Sequence, residues 1–169
     1  DYTIAHFYNA EEQLFFFTDD TSEALIARKM ELFDNVIPAS NSIMAHALYI
    51  TGTLLSRPDY IEMAVQMASK TYKLVMADSQ WVTNWAALHC LIGTPTAEVV
   101  IAGDNQDSIR KDFQRFFVPN AVVMAPHEDL PLTIGKATSD TTLYVCYDKT
   151  CQMPVHSVQA ALQQIEEIY

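Results

Sequence analysis

The hydrophobic and polar positions of this 169-residue chain follow two patterns that meet near residues 93–96. From residue 42 to the boundary, apolar residues recur at helical spacing, whereas beyond it short apolar runs are separated by polar, helix-capping segments. The first pattern predicts helical hairpins and the second a small α/β module. We therefore expect an α+β chain with one domain over residues 1–93 and a second over residues 94–169.

Three helices are predicted before the boundary. The first, Ser42–Leu55, and the third, Ser79–Ile92, are apolar on nearly every side, which indicates burial. The second, Pro58–Met76, has the apolar stripe and polar face of a surface helix. The stripe consists of Ile61, Ala64, Val65, Ala68, Tyr72 and Val75. Buried, amphipathic and buried helices joined by short connections favour part of an α/α toroid, although an ordinary helical bundle gives the same pattern.

The segment that precedes these helices has weaker patterns. Residues 1–10 are interpreted as the end of a helix, Leu14–Phe17 as a strand or hairpin arm, and Ala24–Glu31 as strand or loop. An extended loop then runs from Asp34 to Ser42. Asn41 or Ser42 is predicted to cap the first long helix, because its side-chain oxygen can accept an unpaired backbone N–H.

Beyond the boundary, strands are predicted at residues 98–102, 120–124 and 142–147. A helix from Asp107 or Ser108 to Phe117 joins the first two strands, which makes that pair parallel with a right-handed crossover. Ser157 is predicted to cap a final helix. Its inward-facing residues are Val158, Ala161, Leu162, Ile165 and Ile168. We expect a three-layer-type α/β module with a mostly parallel three-stranded sheet.

Charge and composition narrow the classes of protein and partner. Ten basic and 21 acidic residues give a formal charge of −11, and without a basic patch we expect no nucleic-acid partner. No apolar run reaches the roughly 18 residues of a membrane span, and the N-terminus lacks the pattern of a signal peptide. Three cysteines are few for a disulfide-built secreted protein. We therefore expect a cytoplasmic protein with no membrane partner.

Seven segments of the chain together carry a family resemblance. They are Phe15–Asp20, Leu25–Arg28, Asp34–Ser42, Val99–Gly103, Pro119–Val123, Tyr144–Cys146 and Cys151–Val155. In this order they resemble the C-terminal region of the YyaL-type, spermatogenesis-associated thioredoxin-domain-containing proteins. The resemblance implies an N-terminal thioredoxin-like domain and a six-hairpin α/α toroid similar to N-acylglucosamine 2-epimerases. It also implies that the chain is a fragment, with the missing N-terminal part of the same protein as a partner.

The loop from Asp34 to Ser42 is the leading candidate for a ligand site, since ligands of α/α toroids bind where loops enter the inner helices. Asp34 is the candidate catalytic residue, suited to act as acid, base or acceptor of a sugar hydroxyl. The candidate substrate-binding residues are Arg28, Asn35, Ser40, Asn41, Ser42 and His46. The structural alternative is that the loop's polar groups cap the helix and close the loop, that Arg28 pairs with Asp34 or Glu31, and that His46 is a hydrogen-bonded core residue.

Cys146 and Cys151 are redox candidates, although four residues separate them rather than the two of a thioredoxin motif. Free buried thiols are the leading interpretation, a disulfide across the turn is the second, and a zinc site with His156 is the third. Zinc lacks an evident fourth ligand, so no metal is expected. The Gly103–Asp104 turn lacks G-x-G-x-x-G, so no cofactor is expected either.

Two functions follow from these observations. The leading hypothesis is a part of a carbohydrate-active α/α-toroid protein of unassigned reaction, with a sugar ligand at the Asp34 loop. The alternative is a non-catalytic scaffold that supports a thioredoxin-like domain. A severed toroid would also expose inner-helix surface, and we expect homo-oligomerisation or collapse of the hairpins to cover it. The residues concerned are Ile43, Leu48, Trp81 and Trp85.

Overall fold

A computed structural model of the protein describes residues 1–21 and 27–166. The chain divides into two compact units by its internal contacts. The helical unit comprises Asp1–Ile50 and Pro58–Cys90, and the α/β unit comprises Thr51–Arg57 and Leu91–Tyr169. Helices and sheet are both present, so the α+β class is confirmed.

The helical unit contains a short hairpin and the three predicted helices. Its elements are α1 (Tyr2–Phe7), β1 (Tyr8–Asn9), β2 (Leu14–Phe15), α2 (Ser40–Leu54), α3 (Pro58–Asp78) and α4 (Thr83–Gly93), of which α2 and α4 run on into the residues of the α/β unit. β1 and β2 are antiparallel, so the predicted hairpin arm at Leu14 is confirmed. A 3-10 turn, Ser79–Trp81, precedes α4 where the sequence predicted continuous helix. Residues 22–26, which include part of the predicted Ala24–Glu31 segment and of the family-like Leu25–Arg28, lie outside the described residues.

The buried face of α3 differs in part from the predicted stripe. Its buried residues are Tyr60, Ala64, Met67, Ala68 and Thr71. Val65 and Tyr72, both predicted to face inward, are exposed. Residues three and four apart share one face of a helix, so the line through Tyr60 and Ala64 continues to Met67 and Thr71. The Thr71 hydroxyl is satisfied there by donating to the Ala68 carbonyl at 2.8 Å.

The four residues that we expected a severed toroid to expose differ in their burial. Leu48 and Trp85 are buried. Ile43 and Trp81 remain about half exposed. Packing within the chain therefore covers two of these four residues, and two remain partly open to solvent.

The α/β unit contains a four-stranded sheet with strand order β4-β3-β5-β6. The strands are β3 (Ala97–Ala102), β4 (Ala121–Met124), β5 (Thr142–Tyr147) and β6 (Thr150–Cys151). β3 and β4 are parallel, as predicted from the intervening helix α5 (Gln106–Phe113). The prediction of a mostly parallel, three-stranded sheet is wrong, because β5 pairs antiparallel with both β3 and β6. Asp148 and Lys149 have positive φ and form the two-residue turn that returns the chain as a fourth strand.

Helices α5 and α6 (Val158–Glu166) pack against one face of this sheet. The core on that face is formed by Ala97, Val99, Ile101, Phe113, Leu143, Val145, Val158, Ala161 and Ile165. The three-layer arrangement is therefore not confirmed, since both helices contribute to one and the same core. The Ala160 N–H donates to Ser157 Oγ at 3.2 Å, which confirms the predicted cap of α6. Ile168 lies outside the described residues.

Gly103 ends β3 in a conformation that favours glycine. Its φ is +118°, and an added Cβ would lie 2.7 Å from the Asp140 carbonyl oxygen. We expect Gly103→Ala to lower the free energy of unfolding of the α/β unit by about 1–3 kcal/mol. Gly93→Ala is the matched control, because a Cβ there meets no atom within 4 Å. Urea denaturation should find the control at wild-type stability or slightly above, and equal stability of the two variants would contradict this account.

Candidate functional site

The candidate catalytic residue, Asp34, is buried, with 7% of its surface exposed. Its Oδ1 accepts the backbone N–H of Ala39 at 2.8 Å and lies 3.1 Å from the Ser42 hydroxyl. Its Oδ2 accepts the backbone N–H of Asn84 at 2.8 Å. We call these four residues the Asp34 network. The chain itself therefore occupies both oxygens of the carboxylate.

The Asp34 network caps two helices at once. Ala39 directly precedes α2, and Asn84 lies in the first turn of α4. Amide groups at helix starts lack partners within the helix, and a carboxylate is favourable at that end of the helix dipole. The prediction that Asn41 or Ser42 caps the helix by accepting a backbone N–H is therefore wrong, because Asp34 accepts from outside the helix. The N–H of Asp34 itself donates to the Trp81 carbonyl at 2.7 Å.

Asn41 has a different structural role and is fully buried. Its Oδ1 accepts the Phe15 N–H at 2.7 Å, and its Nδ2 donates to the Phe15 carbonyl at 2.9 Å. Nδ2 also donates to the Glu31 carbonyl at 3.0 Å. The side-chain amide thus pairs with the backbone of β2 as another strand would, which satisfies groups that would be costly to bury unpaired.

A short polar chain extends from Ser42 to His46 through Asn84. The Asn84 Nδ2 donates to the Ser42 hydroxyl at 2.9 Å. His46 Nε2 lies 2.9 Å from the Asn84 carbonyl oxygen, and because a carbonyl only accepts, Nε2 carries the proton. His46 is thus a hydrogen-bonded, half-buried residue of α2. Sequence analysis missed Asn84, since nothing in the sequence connects it to a loop 42–50 residues away.

Arg28, Asn35 and Ser40 make their contacts with other groups. The Arg28 guanidinium lies 4.1 Å from the centroid of the Phe16 ring and donates to the carbonyls of Thr18 and His6. The Asn35 N–H donates to the Ile37 carbonyl at 3.1 Å, and its side chain is exposed. The Ser40 N–H lies 3.5 Å from a Glu31 carboxylate oxygen. Arg28, Asn35 and Ser40 therefore have no hydrogen bond to Asp34 among these contacts, and the structure does not join them to it in one site.

The loop between Asp34 and Ala39 presents apolar side chains to solvent. Val36 is 99% exposed and Ile37 is 72% exposed. We call these two residues the apolar tip. Both ends of the loop are fixed by the hydrogen bonds of Asp34, so the tip projects from an anchored base.

An open pocket of about 360 Å³ lies elsewhere in the helical unit. Its lining residues are Phe17, Thr18, Ala27, Lys29 and Glu31. The Phe17 ring is largely exposed, and an exposed ring beside a cation and a carboxylate is suited to stack on a sugar and to bind its hydroxyls. We call this the Phe17 pocket.

In the α/β unit, Cys146 and Cys151 form a disulfide, so the leading interpretation of free thiols is wrong. The two-residue turn makes them direct partners on β5 and β6, with Cα atoms 3.8 Å apart. The zinc interpretation needs thiolates, and these sulfurs are bonded to each other. His156 Nδ1 donates instead to the Thr141 carbonyl at 2.8 Å. The structure therefore brings the two redox candidates together, and we call residues 146–151 the disulfide hairpin.

Glu98 is a buried carboxyl beside this hairpin. It lies directly opposite Cys146 in the β3–β5 register, and its Oε2 accepts the Lys149 N–H at 3.0 Å. Burial raises the pKa of Glu98, and the charge of Asp148 adds to that rise. The Lys149 N–H and the charges of Lys149 and Lys136 oppose it. Glu98 was not a candidate in the sequence analysis. It could have been recognised as a carboxylate at the start of an otherwise apolar strand.

A comparison with known families finds no family model that matches this sequence, and a comparison with curated proteins finds no match. The family resemblance therefore stays a prediction. Within residues 1–21 and 27–166, no helix is both long enough and apolar enough to cross a membrane. Over the same residues, His, Cys, Asp and Glu form no group of three or more that could hold a metal ion.

We expect Asp34→Ala to lower the free energy of unfolding of the helical unit by about 2–5 kcal/mol, because it leaves the N–H groups of Ala39 and Asn84 without their acceptor. Glu12→Ala is the matched control, since it removes an exposed carboxylate and should change stability by no more than about 0.5 kcal/mol. Urea denaturation of the three proteins measures both values. An Asp34→Ala variant as stable as Glu12→Ala would contradict the structural role of Asp34.

Proposed function

We propose that the helical unit is a non-catalytic scaffold that supports a thioredoxin-like domain in a protein of the YyaL type. In this proposal α2, α3 and α4 are the last helices of an α/α toroid. The short connection of three residues between α2 and α3 is consistent with such hairpins.

The occupancy of the Asp34 carboxylate is the observation that carries the proposal. A general acid or base needs an oxygen within hydrogen-bond reach of the substrate. Oδ1 and Oδ2 instead accept backbone N–H groups at 2.8 Å each, and the residue is buried. Freeing either oxygen for chemistry would leave a helix start without its cap. The loop from Asp34 to Ser42 therefore supports structure better than it supports catalysis.

The apolar tip is the surface that we assign to the supported domain. Removing exposed apolar side chains from water is favourable, so adjacent exposed apolar residues are suited to contact a partner. Because Asp34 anchors both ends of the loop, Val36 and Ile37 lose little conformational freedom when they bind. A scaffold that presents an ordered apolar tip is suited to hold a neighbouring domain.

Carbohydrate binding at the Phe17 pocket is the second candidate function. It is favoured by the exposed Phe17 ring next to Lys29 and Glu31, in a pocket within the size range of small-ligand sites. This version of the carbohydrate hypothesis needs no role for Asp34 in chemistry.

One NMR experiment separates the two functions. The chain, with its backbone amides assigned, is titrated with the thioredoxin-like domain of a YyaL-type protein, and separately with glucose and N-acetylglucosamine. The scaffold proposal predicts saturable shifts at Val36 and Ile37 on adding the domain, and none at Asp34 or Ser42 on adding either sugar.

The controls are substitutions of exposed apolar residues. Val36→Ser should weaken domain binding, whereas Val65→Ser, which alters an exposed valine of α3, should leave it unchanged. Sugar-induced shifts centred on Asp34, or no response to the domain at all, would contradict the scaffold. Sugar-induced shifts near Phe17 that disappear in Phe17→Ala would instead establish the second candidate.

A further inference from the structure

Glu98, Cys146 and Cys151 occupy one row across three neighbouring strands of the α/β unit. Glu98 on β3 is directly opposite Cys146 on β5, which is directly opposite Cys151 on β6. Directly opposite residues of antiparallel strands point to the same face of a sheet, with Cβ atoms about 5 Å apart. A buried carboxyl thus lies beside a disulfide, and the proposed scaffold function uses neither group.

We propose that the disulfide hairpin is a thiol–disulfide exchange site that accepts electrons from a dithiol, with Glu98 as the proton donor to the departing sulfur of Cys146. This function is additional to the scaffold and does not depend on it. The donor is defined by its chemistry, as a small-molecule or protein dithiol able to reach the edge of the sheet.

The positions of the two sulfurs determine which one is attacked. β6 is the outermost strand of the described sheet, and Cys151 on it is half-buried. Cys146 is fully buried. Exchange needs a thiolate to approach one sulfur, so attack occurs at Cys151 Sγ and Cys146 Sγ leaves.

The reaction is a two-electron reduction. The donor thiolate forms a bond to Cys151 Sγ, the S–S bond breaks, and its electron pair goes to Cys146 Sγ. That sulfur takes the proton of Glu98, which later regains one from solvent. The second thiol of the donor, as its thiolate, attacks the donor's own sulfur in the mixed disulfide and releases Cys151 as a thiolate, which takes a proton from solvent. The products are the Cys146 and Cys151 thiols and the donor's disulfide.

Glu98 is suited to give a proton at this position. Burial raises its pKa, so a larger fraction of it is protonated near neutral pH than of an exposed glutamate. The charged groups that act on it are Asp148, Lys149 and Lys136. A thiolate left on fully buried Cys146 would be costly without a proton, because burial disfavours the charged form.

A purely structural role explains the disulfide less well. The stabilisation from a cross-link grows with the number of residues that it encloses. Cys146 and Cys151 enclose only a tight hairpin, which the pairing of Tyr147 with Thr150 already closes. The bond therefore adds little to a turn that the strands hold in place.

The test is the reduction of the folded chain by dithiothreitol. Cys90 is exposed and lies outside the disulfide. In a Cys90→Ser background, every thiol that a thiol assay detects therefore comes from Cys146 or Cys151. We expect two thiols to appear while the circular dichroism of the fold is retained. Glu98→Gln should slow this reduction at least about tenfold at neutral pH, since it keeps an acceptor for the Lys149 N–H but cannot donate a carboxylic proton. Glu128→Gln, which alters an exposed carboxyl, should react at the wild-type rate.

A pH profile keeps the test decisive if Glu98→Gln alters folding. The wild-type rate, divided by the thiolate fraction of dithiothreitol, should fall as the pH rises through the pKa of Glu98. A flat profile would overturn the proposal. Equal rates for folded wild type and Glu98→Gln, or reduction only at the rate of global unfolding, would overturn it as well.

Discussion

The hydrogen bonds that the Asp34 carboxylate accepts are the interaction on which the described helical unit depends. Through one side chain, the start of α2 and the start of α4 share an acceptor, at 2.8 Å from each backbone N–H. The two helices begin 43 residues apart in the sequence, so this bond holds distant segments together. The same bonds fix the loop that carries Val36 and Ile37. The hydrogen bonds of Asp34 therefore cap both helices, fix the shape of the loop and hold its apolar tip in place.

Asp34 in the helical unit and Glu98 in the α/β unit are both buried carboxyls, but their surroundings suit them to different roles. Asp34 accepts hydrogen bonds from two backbone amides and from the Ser42 hydroxyl, so both of its oxygens serve the structure. Glu98 accepts one backbone N–H, from Lys149, and burial raises its pKa. Because burial disfavours the charged form of a carboxyl, Glu98 holds a proton more readily than an exposed glutamate does. The hydrogen bonds of Asp34 suit it to a structural role, and the burial of Glu98 suits it to donate a proton.

Local patterns predicted the helices, the cap at Ser157 and the parallel β3–β4 pair, since each depends on residues close in sequence. The fourth strand was not predicted, because Asp148-Lys149 lacks the glycine or asparagine that usually marks a two-residue turn of this kind. The disulfide between Cys146 and Cys151 was considered only second to free thiols, because four-residue spacing alone does not show how closely the two strands bring these cysteines together. Asn84 could not be predicted as a partner of Asp34, because their contact joins segments 50 residues apart. Periodicity specifies which faces are apolar, but not which distant polar groups meet.

Hydrogen exchange at the Ala39 and Asn84 amides tests the central claim most directly. If the Asp34 carboxylate anchors both helix starts, these two amides exchange only when the helical unit unfolds, and their protection matches that of its slowest core amides. Asp34→Ala should then make both amides exchange rapidly while amides within α3 remain protected under conditions where the variant is folded. Rapid exchange of Ala39 and Asn84 in the wild-type chain, at the rate of unstructured peptide, would contradict the account.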